Sequence, residues 1–325
     1  MGKKIKIKPT FLTSFIILAL TYSVIELLIR TGIISDYFQT TLATICINII
    51  LALSLNLITG FTGQFSLGHA GFMAIGAYVC AIITLRAPTY TAFIIGMVAG
   101  AVAAAAAGAV VGLPTLRLKG DYLAIATLGM AEIIRIIFTN LKITNGAAGL
   151  QGIPQFINWS WLFALTLITY FVLRNFLNSS HGRACISVRE DEVAAEAMGI
   201  NTTKYKVIAF VIGTFFAGIA GAVYASYFYY LKPNIFNFSK SVDILVIVVL
   251  GGMGSLSGSV IGAAILAIIS TYLQRFPEIR MIIYALILIV IMLLRPQGIM
   301  GSKELSLKLF SGITHKKFST GKRKV

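Results

Sequence analysis

Apolar residues dominate this chain in nine blocks, at 11–29, 38–59, 65–85, 90–113, 121–138, 159–177, 205–231, 242–273 and 279–294. Several exceed the ~18 residues that mark a candidate membrane span. The connections are short except for 139–158, rich in Gly, Asn and Gln, and 178–204, which carries most of the internal acids. Two blocks are interrupted by glycine: Gly60–Gly71 breaks an apolar stretch from 38 to 85, and Gly251–Gly258 breaks 242–273. Broken backbone at membrane depth is tolerated only where protein or water covers its freed polar groups. One such segment in each half predicts a central pathway built from broken helices. Its candidate residues are Gln64, Ser66 and His69 in the first break and Gly252, Gly254 and Ser255 in the second.

Composition agrees with the pattern. Of 325 residues, 58% are hydrophobic and 12% charged, against about 25% charged in a soluble domain. This excludes a soluble enzyme and predicts an all-α polytopic membrane protein with about 8–10 transmembrane helices, some broken or re-entrant. The net charge of +16 does not point to nucleic acid, because the basic residues lie at the two ends and in internal loops. That is the signature of loops facing anionic lipid on the cytoplasmic side. With the N-terminus inside, 19 of the 27 Lys and Arg fall inside, and Arg135 lies within a span. The basic tail, from Lys303 to Lys324, belongs inside too, so 242–273 reads as a broken pair returning outward and 279–294 as the last crossing. Residues 1–10 and 301–325 are then basic cytoplasmic ends of one membrane domain, 11–300. Lys3, Lys4, Lys6 and Lys8 precede an apolar run too long for a signal peptide, which reads as an uncleaved first span. Cys46, Cys80 and Cys185 have no metal or redox spacing and read as small buried hydrophobes.

The loop 178–206 is the most informative. Glu190–Met198 predicts one short helix, with Glu190, Asp191 and Glu192 in its first turn and Gly199 as its C-terminal cap. On physics alone it is either a solvated loop helix or a helix whose small face docks on a partner. Here the chain resembles the LivM-type permeases of branched-chain amino acid importers. The resemblance is carried by Asn56–Tyr78 (NLITGFTGQFSLGHAGFMAIGAY), Gly120–Arg135 (GDYLAIATLGMAEIIR), Arg183–Gly221, Val249–Gly262 and Arg295–Gly298. It implies a multi-pass subunit of a bacterial-type inner membrane, working with a second, LivH-like permease, two ATPase subunits and an extracytoplasmic solute-binding protein. ATP and magnesium would reside on the ATPases; this chain has no phosphate loop and needs no cofactor. The 178–206 loop resembles an EAA-type coupling loop, although it reads Ala194-Ala195-Glu196-Ala197-Met198-Gly199. The resemblance therefore assigns coupling to the helix as a whole: Arg189, Glu190, Asp191, Glu192, Ala195, Glu196, Met198 and Gly199.

Polar residues inside the apolar blocks are functional candidates. Glu132 and Arg135, at i,i+3, can neutralise each other; they are a structural pair, or else they meet a passing zwitterion or lock an outer gate. His69 either lines the path or bonds a neighbouring helix. Asn48 and Asn56 share a face as interhelical glue. Asp243 caps a helix or meets the binding protein, and Trp159 and Trp161 anchor an interface. The small residues of Gly96–Gly112 suit close packing. Rival readings are a self-contained secondary transporter, a membrane enzyme, and a related permease for urea or short amides.

Overall fold

The block from 38 onward folds as α2 (Asp36–Asn56), preceded by α1 (Pro9–Arg30). The computed structural model describes residues 9–116, 120–273 and 298–301 and scattered positions between 282 and 293, with side chains from residue 18 onward. The expected basic ends, Arg117, Lys119 and most of the last crossing at 279–294 lie outside the described residues. Helix α2 is buried on every side from Cys46 to Asn56, as expected of a helix apolar all round. It packs against α6 (Trp159–Asn178), α9 (Thr202–Phe228), α10 (Phe238–Gly251) and α11 (Leu256–Leu273). On the outside of the bundle, Tyr22 of α1 meets Ser160 of α6, hydroxyl to hydroxyl at 2.8 Å.

The same core continues where α3 (His69–Arg86), α4 (Tyr90–Thr115) and α9 cross. Their contact is backbone on backbone. A Cβ on Gly76 would stand 2.1 Å from Gly218 O, and one on Gly100 2.7 Å from Gly76 O. With no hydrophobic drive between helices in lipid, such close approach provides the dispersion contact that holds them together. The Ala/Gly run of α4 thus packs as the pattern predicts. Helix α5 (Asp121–Asn140) leans on α3 and leaves much of its surface, including Tyr122, Ile125, Ile133 and Ile136, uncovered by this chain.

Among the described residues, seven helices are long and apolar enough to cross a membrane. Helix α1, at 22 residues, has the length for another. Helix α10, at 14 residues, spans only about 21 Å and ends at the second glycine break. Helix α11 returns outward: the Tyr37 hydroxyl at the start of α2 donates to Thr271 O near the end of α11. The chain reaches the inner end again by 298–300, where Ile299 N and Met300 N donate to Leu250 O and Gly251 O. The expected broken pair is therefore present.

Both long connections are structured, and one differs from expectation. Segment 139–158 is folded by two 3₁₀ turns and by a strand β1 (Leu150–Gln151) paired antiparallel with β2 (Tyr230–Leu231). The 178–206 loop holds two helices, α7 (Ser180–Glu190) and α8 (Glu192–Ala197), where a single helix from Glu190 to Met198 was expected. Asp191 adopts extended backbone, φ −156°, and its carboxylate accepts from Val193 N at 2.9 Å and Ala194 N at 3.0 Å. Capping the orphan amides of α8 requires that geometry, so Asp191 ends one helix as it starts the next. Gly199, φ +83°, caps α8 as predicted, with Ile200 N donating to Ala195 O.

Candidate functional site

The two glycine-rich breaks, nearly 200 residues apart in sequence, meet in space. The first follows α2, which widens into a π turn over Leu57–Phe61 and stops. Thr62 Oγ1 donates to Leu57 O and Gln64 N to Ile58 O, and Gly63 turns the chain at φ +74°. The chain then runs through Phe65–Leu67 to α3, and Leu67 N donates to Thr127 Oγ1 of α5. The second break places Gly252 at φ +120° and Gly254 at φ +90°, conformations that favour glycine. The Ser255 hydroxyl accepts from Gly258 N at 3.0 Å and starts α11.

Asn56 stitches them together. Its amide donates to Ser255 O at 2.9 Å and Ser259 Oγ at 2.7 Å, and its carbonyl accepts from Gly254 N at 2.9 Å. Around it the backbones touch: a Cβ on Gly60 would lie 2.4 Å from Gly254 N. Gly298, φ +77°, closes on Gly252 in the same way. Asn48 also reaches across, accepting from Lys240 Nζ at 3.3 Å. Both asparagines thus act as interhelical glue.

The polar candidates of the first break are buried in this arrangement. His69 Nε2 and Ser54 Oγ lie 2.8 Å apart, which ties α3 to α2. Gln64 Nε2 donates to Lys206 O of α9 at 3.1 Å. Ser66 is buried beside Gly68 N. Gly252, Gly254 and Ser255 meet the first break at Gly60 and Asn56, whereas His69 lies farther up along α2, and Ala70 N beside it donates to Ser241 near the start of α10. The six candidates therefore do not gather in one place. Glu132 and Arg135 sit elsewhere, toward the outer end of α5. They form the anticipated pair, Nε to Oε2 at 2.7 Å, and Arg135 Nη1 also donates to Asn234 Oδ1 at 3.2 Å. Asp243 does not cap a helix: Asn237 caps α10, accepting from Lys240 N, and Asp243 lies inside that helix.

The coupling candidates divide by exposure. Ala195 is buried against the protein itself, whereas Val193 and Met198 are 75% and 82% exposed. Val193, absent from the sequence-derived set, is an exposed apolar side chain of α8 as Met198 is at its end. Glu196 accepts from the Thr202 hydroxyl at 2.7 Å, and Glu192 pairs with Lys206 at 2.5 Å. Arg189 reaches inward: its Nη1 donates to Gly60 O at 2.7 Å, while Nη2 and Nε bond Glu190 Oε1 at 2.6 and 3.2 Å. No sequence signal links Arg189 to Gly60, 129 residues away. Cys185 is buried behind them, and burial pushes its thiol up to about 11 against an opposing hydrogen bond from Thr62.

The chain matches, over residues 37–292, the family described as branched-chain amino acid transport system permease component. It is 38% identical, over 82% of its length and 70% of the relative's, to the high-affinity branched-chain amino acid transport system permease protein LivM of Salmonella typhimurium. The LivM protein of Escherichia coli is similar at the same identity and coverage. The LivH permease protein of Escherichia coli is 26% identical over 78% of this chain and 91% of the relative. No solved structure matches the chain. The broken-helix membrane domain described above belongs to the branched-chain amino acid transport system permease family.

Proposed function

We propose that this chain is the transmembrane permease subunit of an ATP-driven, binding-protein-dependent importer of branched-chain amino acids in a bacterial-type inner membrane. The observation that carries this reading is the similarity to LivM across 82% of the chain, joined to an outward-facing helix with the build of a docking element. Helix α8 is short, capped at both ends and clamped to the body by Glu192–Lys206 and Glu196–Thr202. It presents Val193 and Met198 to the side where Lys and Arg accumulate. A rigid helix with two exposed apolar side chains can seat in a groove of an ATPase and pass its motion to the bundle. The uncovered face of α5 would meet a LivH-like second permease or lipid, and the outer turns would meet the solute-binding protein. Two ATPase subunits would hold ATP and magnesium; this subunit would carry no cofactor and perform no catalysis.

The test is affinity purification of the tagged chain from its native membrane in mild detergent, with co-purifying proteins identified and the assembly reconstituted in liposomes. The expected result is recovery of a second permease and phosphate-loop ATPases, with ATP-dependent uptake of leucine, isoleucine and valine. A chain that purifies alone and moves solute without ATP would overturn the importer reading. Uptake of urea in place of the amino acids would overturn the substrate.

A further inference from the structure

We propose that Arg189 is the bolt that joins the ATPase-coupling segment to an inner gate, and that the gate is the seam where the two glycine-rich breaks meet. The proposal rests on the reading of α8 as the coupling helix and names the part that transmits its motion.

The chemistry begins with two helix ends. Helix α2 with its π turn, and helix α10, both finish at this seam, and each C-terminus carries the partial negative charge of its helix dipole. Two like ends in backbone contact repel. A cation that touches both removes the repulsion, and Arg189 is placed to do so. Its Nη1 lies 2.7 Å from Gly60 O, and the same atom stands 2.7 Å from where a Gly254 Cβ would be. Its aliphatic stem lies 3.1 Å from the corresponding point on Gly63. The opposite edge of the guanidinium is gripped by Glu190. One side chain therefore touches both breaks while belonging to the segment that leads into α8.

Asn56 meets the same two glycines from the buried side: its Oδ1 accepts from Gly254 N and stands where a Gly60 Cβ would be. It belongs to α2 itself, and its bonds hold the breaks together as a hinge. Arg189, 30% exposed, reaches the contact from α7 and is the tie that motion of α8 can withdraw. A second tie runs the same way: Glu192 of α8 pairs with Lys206, whose carbonyl accepts from Gln64 in the first break. A shift of α8 pulls on both, and Asp191, in extended backbone between α7 and α8, is the link through which that pull reaches Arg189.

The experiment uses the complete assembly in proteoliposomes, measuring ATP hydrolysis and leucine uptake in parallel, with detergent thermal stability and subunit recovery as controls. Arg189→Gln is expected to lower uptake about tenfold, the effect of one charge-assisted hydrogen bond, with hydrolysis within about twofold of wild type. Arg189→Lys, which keeps the charge but loses the fork, is expected to restore about half of the uptake. Glu190→Gln loosens the grip on Arg189 without touching the seam, and is expected to uncouple about threefold; it decides the matter if Arg189→Gln does not assemble. Uptake and hydrolysis falling in proportion, or neither changing, would overturn the bolt. Wild-type transport that needs no ATP would instead overturn the importer reading beneath it.

Discussion

Removing the side chain of Asn56 is the sharpest test of how the two breaks are held. The residue is fully buried, and three of its hydrogen bonds are 2.9 Å or shorter. In Asn56→Ala the Gly254 amide loses its acceptor inside the protein, a cost of about 1–3 kcal/mol. Ser255 O keeps the Ser259 hydroxyl as a donor at 3.2 Å, so the other two bonds contribute only their net worth, about 0.5–1.5 kcal/mol each. The midpoints sum to about 4 kcal/mol, or a melting shift of about 8–16 °C if each kcal/mol moves the transition by about 2–4 °C. Asn56→Asp should be worse, because it turns two donated bonds into a carboxylate facing Ser255 O. The assay is the melting temperature of the detergent-solubilised protein, followed by size-exclusion recovery after heating. Ser259→Ala added to Asn56→Ala should cost less than the two single changes combined. A shift under about 2 °C for Asn56→Ala would refute the stitched-break account. It would also leave unexplained why a Cβ on Gly60, which would fall 1.7 Å from Asn56 Oδ1, has no room.

Four further outcomes are expected. Arg135→Ala alone should reduce abundance more than Arg135→Ala with Glu132→Ala, because the single change strands a carboxylate in the membrane; membrane-fraction immunoblots compare them, and equal loss would remove the self-neutralising pair. Gly76→Val should sharply lower the yield of folded protein, since even a Cβ meets Gly218 O at 2.1 Å and overpacking costs about 1–3 kcal/mol or more. Ala195→Leu should destabilise this chain itself, whereas Met198→Glu should leave its melting temperature unchanged and release the ATPases during purification; the reverse pattern would mean that α8 docks by its other face. Cys185, raised by burial to about 11, should stay a thiol from pH 7 to 9 and resist maleimide until the protein is denatured; its thiolate gains ground only as pH approaches that value, so labelling that rises steeply by pH 8.5 would show an exposed thiol.

The amino-acid sequence alone determined the membrane class and, among the described residues, the places of the spans and breaks. These are local properties: the length of an apolar run is set against the bilayer, and glycine frees the backbone where it stands. Local chemistry also marked the Glu132–Arg135 pair and the cap at Gly199, whose partners lie within one turn. It failed at Glu190-Asp191-Glu192, where any of three adjacent acids could open a helix and the choice of Asp191 goes with the packing of α7 and α8 on α9. What only the tertiary structure decided is which segments meet. Asn56 reaches Ser255 and Ser259, and Arg189 reaches Gly60, because glycine leaves two backbones free to approach until polar groups must find partners across the gap. Ala195 turns inward for a related reason: clamping α8 through Lys206 and Thr202 sets its rotation, and helical periodicity in so short and alanine-rich a segment does not.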